Sequence, residues 1–166
     1  MAEEAIETLP NGEDHTPSVG MIAQYIKDLS FENPNAPAVY QWTGQPQVDV
    51  QFNIGASPAG DDVHEVSLKI TVRSSAADKV AYQVELDYAG LFGFRNIPDD
   101  QITPFLLAEA PRLLFPFARR VIADAVRDGG FAPMILEPID FHALFLQQAE
   151  ANATQAEDGE ANEANA

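Results

Sequence analysis

The sequence predicts an α+β domain, a run of strands followed by a run of helices, and three observations predict it. Between Gln47 and Tyr88 three segments alternate apolar and polar residues with a period of two, separated by short turns. An earlier stretch, MIAQYIKDLSFEN from Met21, is extended but apolar on both faces near its start. After Gly90 the alternation ends, and LLFPFARRVIADAVRDGGF, residues 113–131, takes over with helical spacing.

Each element has its own sequence logic. In the first segment Met21, Ala23, Tyr25, Leu29 and Phe31 share one parity, and Gln24, Asp28, Ser30 and Glu32 the other. Ile22 and Ile26 break the pattern and Lys27 interrupts it, so a second surface is expected there. Asn33-Pro34-Asn35-Ala36-Pro37 ends the strand, because proline cannot donate to a ladder. The next strand sets Val48, Val50, Phe52 and Ile54 against Gln47, Asp49, Gln51 and Asn53, and Pro58 to Asp62 turns the chain. Val66, Leu68, Ile70 and Val72 alternate with Glu65, Ser67, Lys69 and Thr71. Val80, Tyr82, Val84, Leu86 and Tyr88 follow against Gln83, Glu85 and Asp87. Short connections between such runs imply an antiparallel meander with one apolar and one wet face.

The second half reads as helices. Thr103 with Pro104 behind it suits a helix start, giving a short helix near 103–110. Pro111 and Pro116 argue against one unbroken helix, so the main helix is expected to run to about Asp128 and close at Gly129-Gly130. It carries Leu114, Phe115, Ala118, Val121, Ile122, Ala125 and Val126 on one flank, and Arg119, Arg120, Asp124 and Arg127 opposite. Leu113 and Phe117 stray toward the charged side, more apolar surface than one sheet can cover. FAPMILEPI reads as an apolar loop, and Asp140 as the cap of a last helix, DFHALFLQQAEA.

Charge bounds the function. The chain has 166 residues, a net charge of −17 and 46% hydrophobic residues. Residues 1–18 read as a disordered acidic arm, 19–150 as the folded domain, and 151–166 as a disordered acidic tail of low complexity. Such acidity disfavours nucleic acid and anionic lipid, and suits a basic protein partner. There are no cysteines, which excludes disulfides and thiol chemistry. The acidic amino terminus does not read as a signal peptide and no stretch is long enough to span a membrane, so a cytoplasmic protein is expected.

Candidate chemistry is sparse. Asp61-Asp62-Val63-His64-Glu65 holds the densest set of possible metal ligands, but His64 and Glu65 are adjacent on a strand and point to opposite faces. No serine sits in a nucleophile elbow and no phosphate loop is present, so a small-molecule hydrolase lacks a nucleophile–base pair. Glu85 and Asp87 read as part of a solvated acidic face rather than as an acid–base pair. What ordinary folding leaves over is that acidic face (Asp28, Glu32, Asp49, Glu85, Asp87) and a surplus of apolar residues outside regular elements. The surplus includes Tyr40, Trp42, Phe92, Phe131, Ile135 and Leu136.

YIKDLSFENPNAP, QPQVDVQFNI, DDVHEVSLKITV, LLFPFARR and GGFAPMILEPIDFHALF together resemble SecB, the bacterial protein-export chaperone family, over roughly residues 20 to 148. The resemblance implies a four-stranded antiparallel sheet with helices packed on one face, assembling as a dimer of dimers. In that homotetramer a neighbour's helices cover the stray apolar positions and the first strands pair across subunits. It implies a chaperone and not an enzyme, with no nucleotide, metal or other cofactor. Such a chaperone keeps unfolded precursor proteins translocation-competent and delivers them to the SecA ATPase. Matching positions imply a client-binding groove of Val48, Val50, Phe52, Phe92, Met134, Leu136 and Phe145, and a SecA-binding acidic face of Asp28, Glu32 and Glu85. Two positions depart from the family: Trp42 falls two residues before the usual tryptophan, and Gln83 replaces an apolar residue. A SecB-like chaperone of a toxin–antitoxin system is the alternative.

Overall fold

A computed structural model describes residues 14–163. One antiparallel sheet, in the order β1-β4-β3-β2, carries helices on a single face. The strands are β1 (Ser18–Glu32), β2 (Gln47–Gly60), β3 (Val63–Ala76) and β4 (Lys79–Arg95). Strands β2, β3 and β4 form the expected meander. Tight turns join them, with Asp62 at φ 55° and Ala77 and Asp78 at φ 50° and 62°. Residues 33–46 then cross from β1 at one edge to β2 at the other, making a 3-10 turn at Ala38–Gln41. The crossover is pinned by Asn35, whose Nδ2 donates to the Val80 carbonyl at 2.7 Å.

Alternation decides which side of the sheet is core. Val66, Leu68, Ile70 and Val72 of β3 are all at most 1% exposed, and Val84, Leu86 and Phe92 of β4 lie beside them. Against this face pack α1 (Asp99–Pro104), a π-helical turn (Phe105–Glu109) and α2 (Ala110–Asp128). From α2, Leu114, Phe115, Ala118, Val121, Ile122 and Val126 are buried, the flank that the helical spacing selects. Phe117 is left 41% exposed on the far side.

The structure differs from expectation in four places. First, β4 does not end at Gly90 but runs on through Leu91–Arg95, with Phe92 and Phe94 facing the core. Gly90 is there because α2 comes close: a Cβ at this position would lie 2.9 Å from Leu114 Cδ2. Second, register shifts at Met21/Ala23 and Ile26/Asp28 reset the parity of β1. Val19, Met21, Ile26, Leu29 and Phe31 therefore share the helix-covered face, whereas Ala23 and Tyr25 join Asp28, Ser30 and Glu32 outside.

Third, the helical path is unbroken from Asp99 to Asp128. It starts after Pro98 rather than at Thr103, with Asp99 and Asp100 in the first turn, where acids suit the helix dipole. Pro111 follows directly on the π turn, where Ala110 N–H already reaches back to the Phe105 carbonyl and the regular ladder is interrupted, and Pro116 is solvent-exposed, so water can reach the carbonyl it frees. Fourth, α3 (Phe141–Glu163) continues well past the expected end at Ala151. Asp140 caps it as expected, its Oδ1 accepting from Ala143 N at 3.0 Å. The segment beyond carries several alanines and glutamates, both good helix formers. The acidic arm expected at residues 1–18 lies largely outside the described residues.

Candidate functional site: an apolar cleft and an acidic face on opposite sides of the sheet

Strand β2 is an edge, and α2 does not reach far enough to cover its inward side chains. Val48 is 43% exposed, and Val50, Phe52 and Ile54 are half-buried. The crossover, the segment after α2 and the start of α3 rise beside them and leave two recesses. One, of about 260 Å³, is lined by Val39, Trp42, Val48, Tyr82 and Phe131. The other, of about 310 Å³, lies between Phe52 and Ile54 of β2, Leu107 of the π turn and Leu144 of α3, with the amides Asn53, Gln147 and Gln148 also in its wall. The floor is aromatic: Phe52 stands 6.4 Å from Phe115, which meets Phe141 edge-on at 5.7 Å.

Of the seven residues expected to line a groove, the structure gathers some and not others. Val48 and Phe52 each line a recess, and Val50 sits between them on the same strand. Met134 is half-buried against the core, and Phe145 is half-buried on α3. Phe92 and Leu136 are core residues, 0% and 4% exposed; Phe92 packs edge-on to Phe105 at 5.7 Å. They do not line an open surface. Tyr82, Leu107 and Leu144 were missed as cleft residues. Trp42 and Phe131 had only their apolar surplus to mark them.

The outer face carries the acids. Ladder pairing sets Ser30 opposite Glu85, Glu32 opposite Gln83, and Asp28 opposite Asp87. Asp28, Glu32 and Glu85 are therefore exposed neighbours on one corner of the sheet. Gln83 Nε2 donates to Glu85 Oε1 at 2.9 Å, and Ser67 Oγ donates to Asp87. The cations Lys69 and Arg73 stand one strand away, on β3.

Further along this face, Tyr25 donates its hydroxyl to Glu65, and Lys27 Nζ reaches the other carboxylate oxygen at 2.6 Å. Lys27 first, and Tyr25 second, hold the Glu65 carboxyl below the usual range, and Glu65 pushes the Tyr25 phenol up to about 12. His64 turns the other way, as strand geometry requires, with its ring edge-on to Phe94 at 5.6 Å. Among the described residues no three His, Asp or Glu side chains gather as a metal site, and no helix is long and apolar enough to cross a membrane.

A family model described as preprotein translocase subunit SecB matches residues 12–152. The protein-export protein SecB of Rhizorhabdus wittichii is 63% identical over 166 residues, covering 99% of this chain and all of the relative. That of Sphingopyxis alaskensis is 68% identical over 142 residues, 86% of this chain and 83% of the relative. A SecB-like chaperone of Mycobacterium tuberculosis, solved in complex with a ChAD peptide from an antitoxin, superposes with a TM-score of 0.62. It is 14% identical and covers 73% of this chain and 90% of that one.

A one-sided sheet with open recesses beside an unpaired strand edge can hold an extended polypeptide, by apolar burial and strand addition. The chain belongs to the SecB family, and it is a protein-export chaperone. The mycobacterial likeness is one of fold alone and adds no weight to the toxin–antitoxin reading.

Proposed function

We propose that the chain holds unfolded precursor proteins in the cytoplasm and delivers them to the SecA ATPase through Asp28, Glu32 and Glu85. The work is physical: apolar side chains of the client leave water for the two recesses, and its backbone bonds along the β2 edge. No covalent step, nucleotide or metal enters. The observation that carries this reading is the pair of open recesses along β2, with the acids on the opposite face of the same sheet, where both can be occupied together. The groove is best drawn through Trp42, Val48, Val50, Phe52, Phe131 and Leu144, with Met134 and Phe145 at its margin.

Magnitudes favour several copies acting together. Filling both recesses with one large side chain each contributes roughly 3–6 kcal/mol, short of the ~8 kcal/mol of micromolar binding. Four linked grooves close that gap by avidity. A dimer of dimers uses surfaces that one chain leaves bare: Met21, Ile22, Ile26 and Leu29 on the β1 edge are 38–61% exposed, and Phe117 stands out from α2. The test combines native mass spectrometry with capture of a denatured precursor in the absence of ATP, with and without SecA. Tetramers that suppress aggregation and bind SecA are expected. Compact monomers that ignore denatured chains would overturn the proposal.

A further inference from the structure

Beside the recess at Trp42 lies a hydrogen-bonded clamp that the cleft itself does not account for. Asn33, just past β1, donates from Nδ2 to the Tyr40 hydroxyl at 2.9 Å and to the Gly129 carbonyl at 3.3 Å. The Tyr40 hydroxyl in turn donates to the same carbonyl at 2.8 Å. That carbonyl closes the carboxyl end of α2, where cations and hydrogen-bond donors are favoured. The Tyr40 ring lies 5.5 Å from Phe131, and Phe131 lies 4.8 Å from Tyr82. Both Phe131 and Tyr82 line the recess, facing Trp42.

The surroundings leave this arrangement little play. Gly130 has φ +86°, and a Cβ there would come within 3.1 Å of the Tyr40 ring. A Cβ on Gly129 would overlap the Phe31 ring at 2.2 Å, and Phe31 stacks on Tyr82 at 6.1 Å. The Asn33 Oδ1 is buried without a partner, a cost that the two bonds from its Nδ2 offset. Tyr40 is itself 51% exposed, so its burial contributes little. What its hydroxyl does is fix the turn that bears Phe131.

We infer that Tyr40 is a positioning residue for client binding: with Asn33 it clamps the α2 terminus so that Phe131 stays packed on Tyr82, and the two rings together hold the shape of the recess that Trp42 also lines. A preshaped slot loses less freedom when a ring enters, and it discriminates flat rings from branched aliphatic groups. This rests on the reading of the recess as a client site.

The experiment uses the full chain and two otherwise identical unfolded peptides, one anchored by tryptophan and one by leucine. The native chain is expected to prefer the tryptophan probe. Tyr40→Phe keeps the ring and removes the oxygen; it should weaken the tryptophan probe about fivefold, the worth of one hydrogen bond, and the leucine probe by less than twofold. Asn33→Ala should narrow the preference likewise, and the double variant should add nothing further, as for groups acting as one unit. Unchanged ratios in Tyr40→Phe and Asn33→Ala, with both probes bound, refute the clamp and leave the cleft standing. Failure of the native chain to bind either probe removes the cleft and the clamp together.

Discussion

Tyr25 reaches across the full width of β4 to donate its hydroxyl to Glu65, tying β1 to β3, a strand with which it shares no ladder. Ala89 makes this possible: it lies opposite Tyr25 on β4, is 0% exposed, and is small enough for the ring to pass over. The strap runs along the outer face toward the corner that holds Asp28 and Glu32.

The strap predicts a pH window. Glu65 has a folded-state pKa below its ordinary 4.5, so its contribution is present above 4.5 and is lost as pH falls through the lower folded value. Tyr25 is raised from 10 to about 12, so its contribution is full below pH 10 and is lost as pH rises through about 12. Glu65→Gln should lower the melting temperature by a few degrees near neutrality. The gap from the native chain should close below pH 4.5, checked by melts across a pH series.

Gly129 predicts a steric effect without a backbone one. Its φ is an ordinary −76°, yet an added methyl would meet the Phe31 ring. Gly129→Ala should destabilise the fold by about 1–3 kcal/mol, the usual cost of overpacking. Adding Phe31→Ala, which clears the space, should make the alanine at 129 nearly silent. Denaturant titration of the four chains measures the coupling.

Core and cleft are separable by aspartate. Phe92→Asp places a carboxylate where exposure is 0%, and should cost more than about 4 kcal/mol and unfold the chain. Val48→Asp, at a position 43% exposed, should leave stability within about 0.5 kcal/mol. It should nonetheless weaken client capture about tenfold, the worth of one anchoring side chain. Circular dichroism and precursor binding distinguish the two.

Charge reversal addresses the acidic corner. Asp28→Lys with Glu85→Lys should abolish SecA binding while client capture persists. Raising salt from about 0.05 to 0.5 M shortens electrostatic reach and should weaken the native SecA complex, but not client binding. Calorimetric titration of each partner reads both effects.

How much of this was legible in the sequence depends on what sets each element. Strand β3 was readable because one face is buried along its length, and β2 because Val50, Phe52 and Ile54 are half-buried while their neighbours are exposed; alternation is the direct imprint of that difference. β1 was not, because the extra residues Ile22 and Lys27 carry no compositional mark of a bulge, yet each shifts every later side chain to the other face. The end of β4 was hidden by Gly90 and Gly93, which look like breakers but allow close packing from α2 and from Ile22. Hence Phe92 looked like surplus apolar surface when it is core. The acids were easier: Glu32 and Glu85 lie on strands whose local parity is right, so exposure follows from position. The clamp at Tyr40 had no signal, since Asn33, Tyr40 and Gly129 meet only when three distant segments are packed.

The two bulges in β1 have a last consequence, which concerns the sheet's margins. β2 offers a row of donors and acceptors from Gln47 to Ser57 with no register shift, the form that a straight incoming chain can match. β1 is bent twice, so its free margin fits only a strand kinked at the same intervals. A second copy, running the other way, has that shape; an arbitrary cargo does not. On the proposed reading, self-assembly and cargo fall on different borders, though both consist of the same backbone groups.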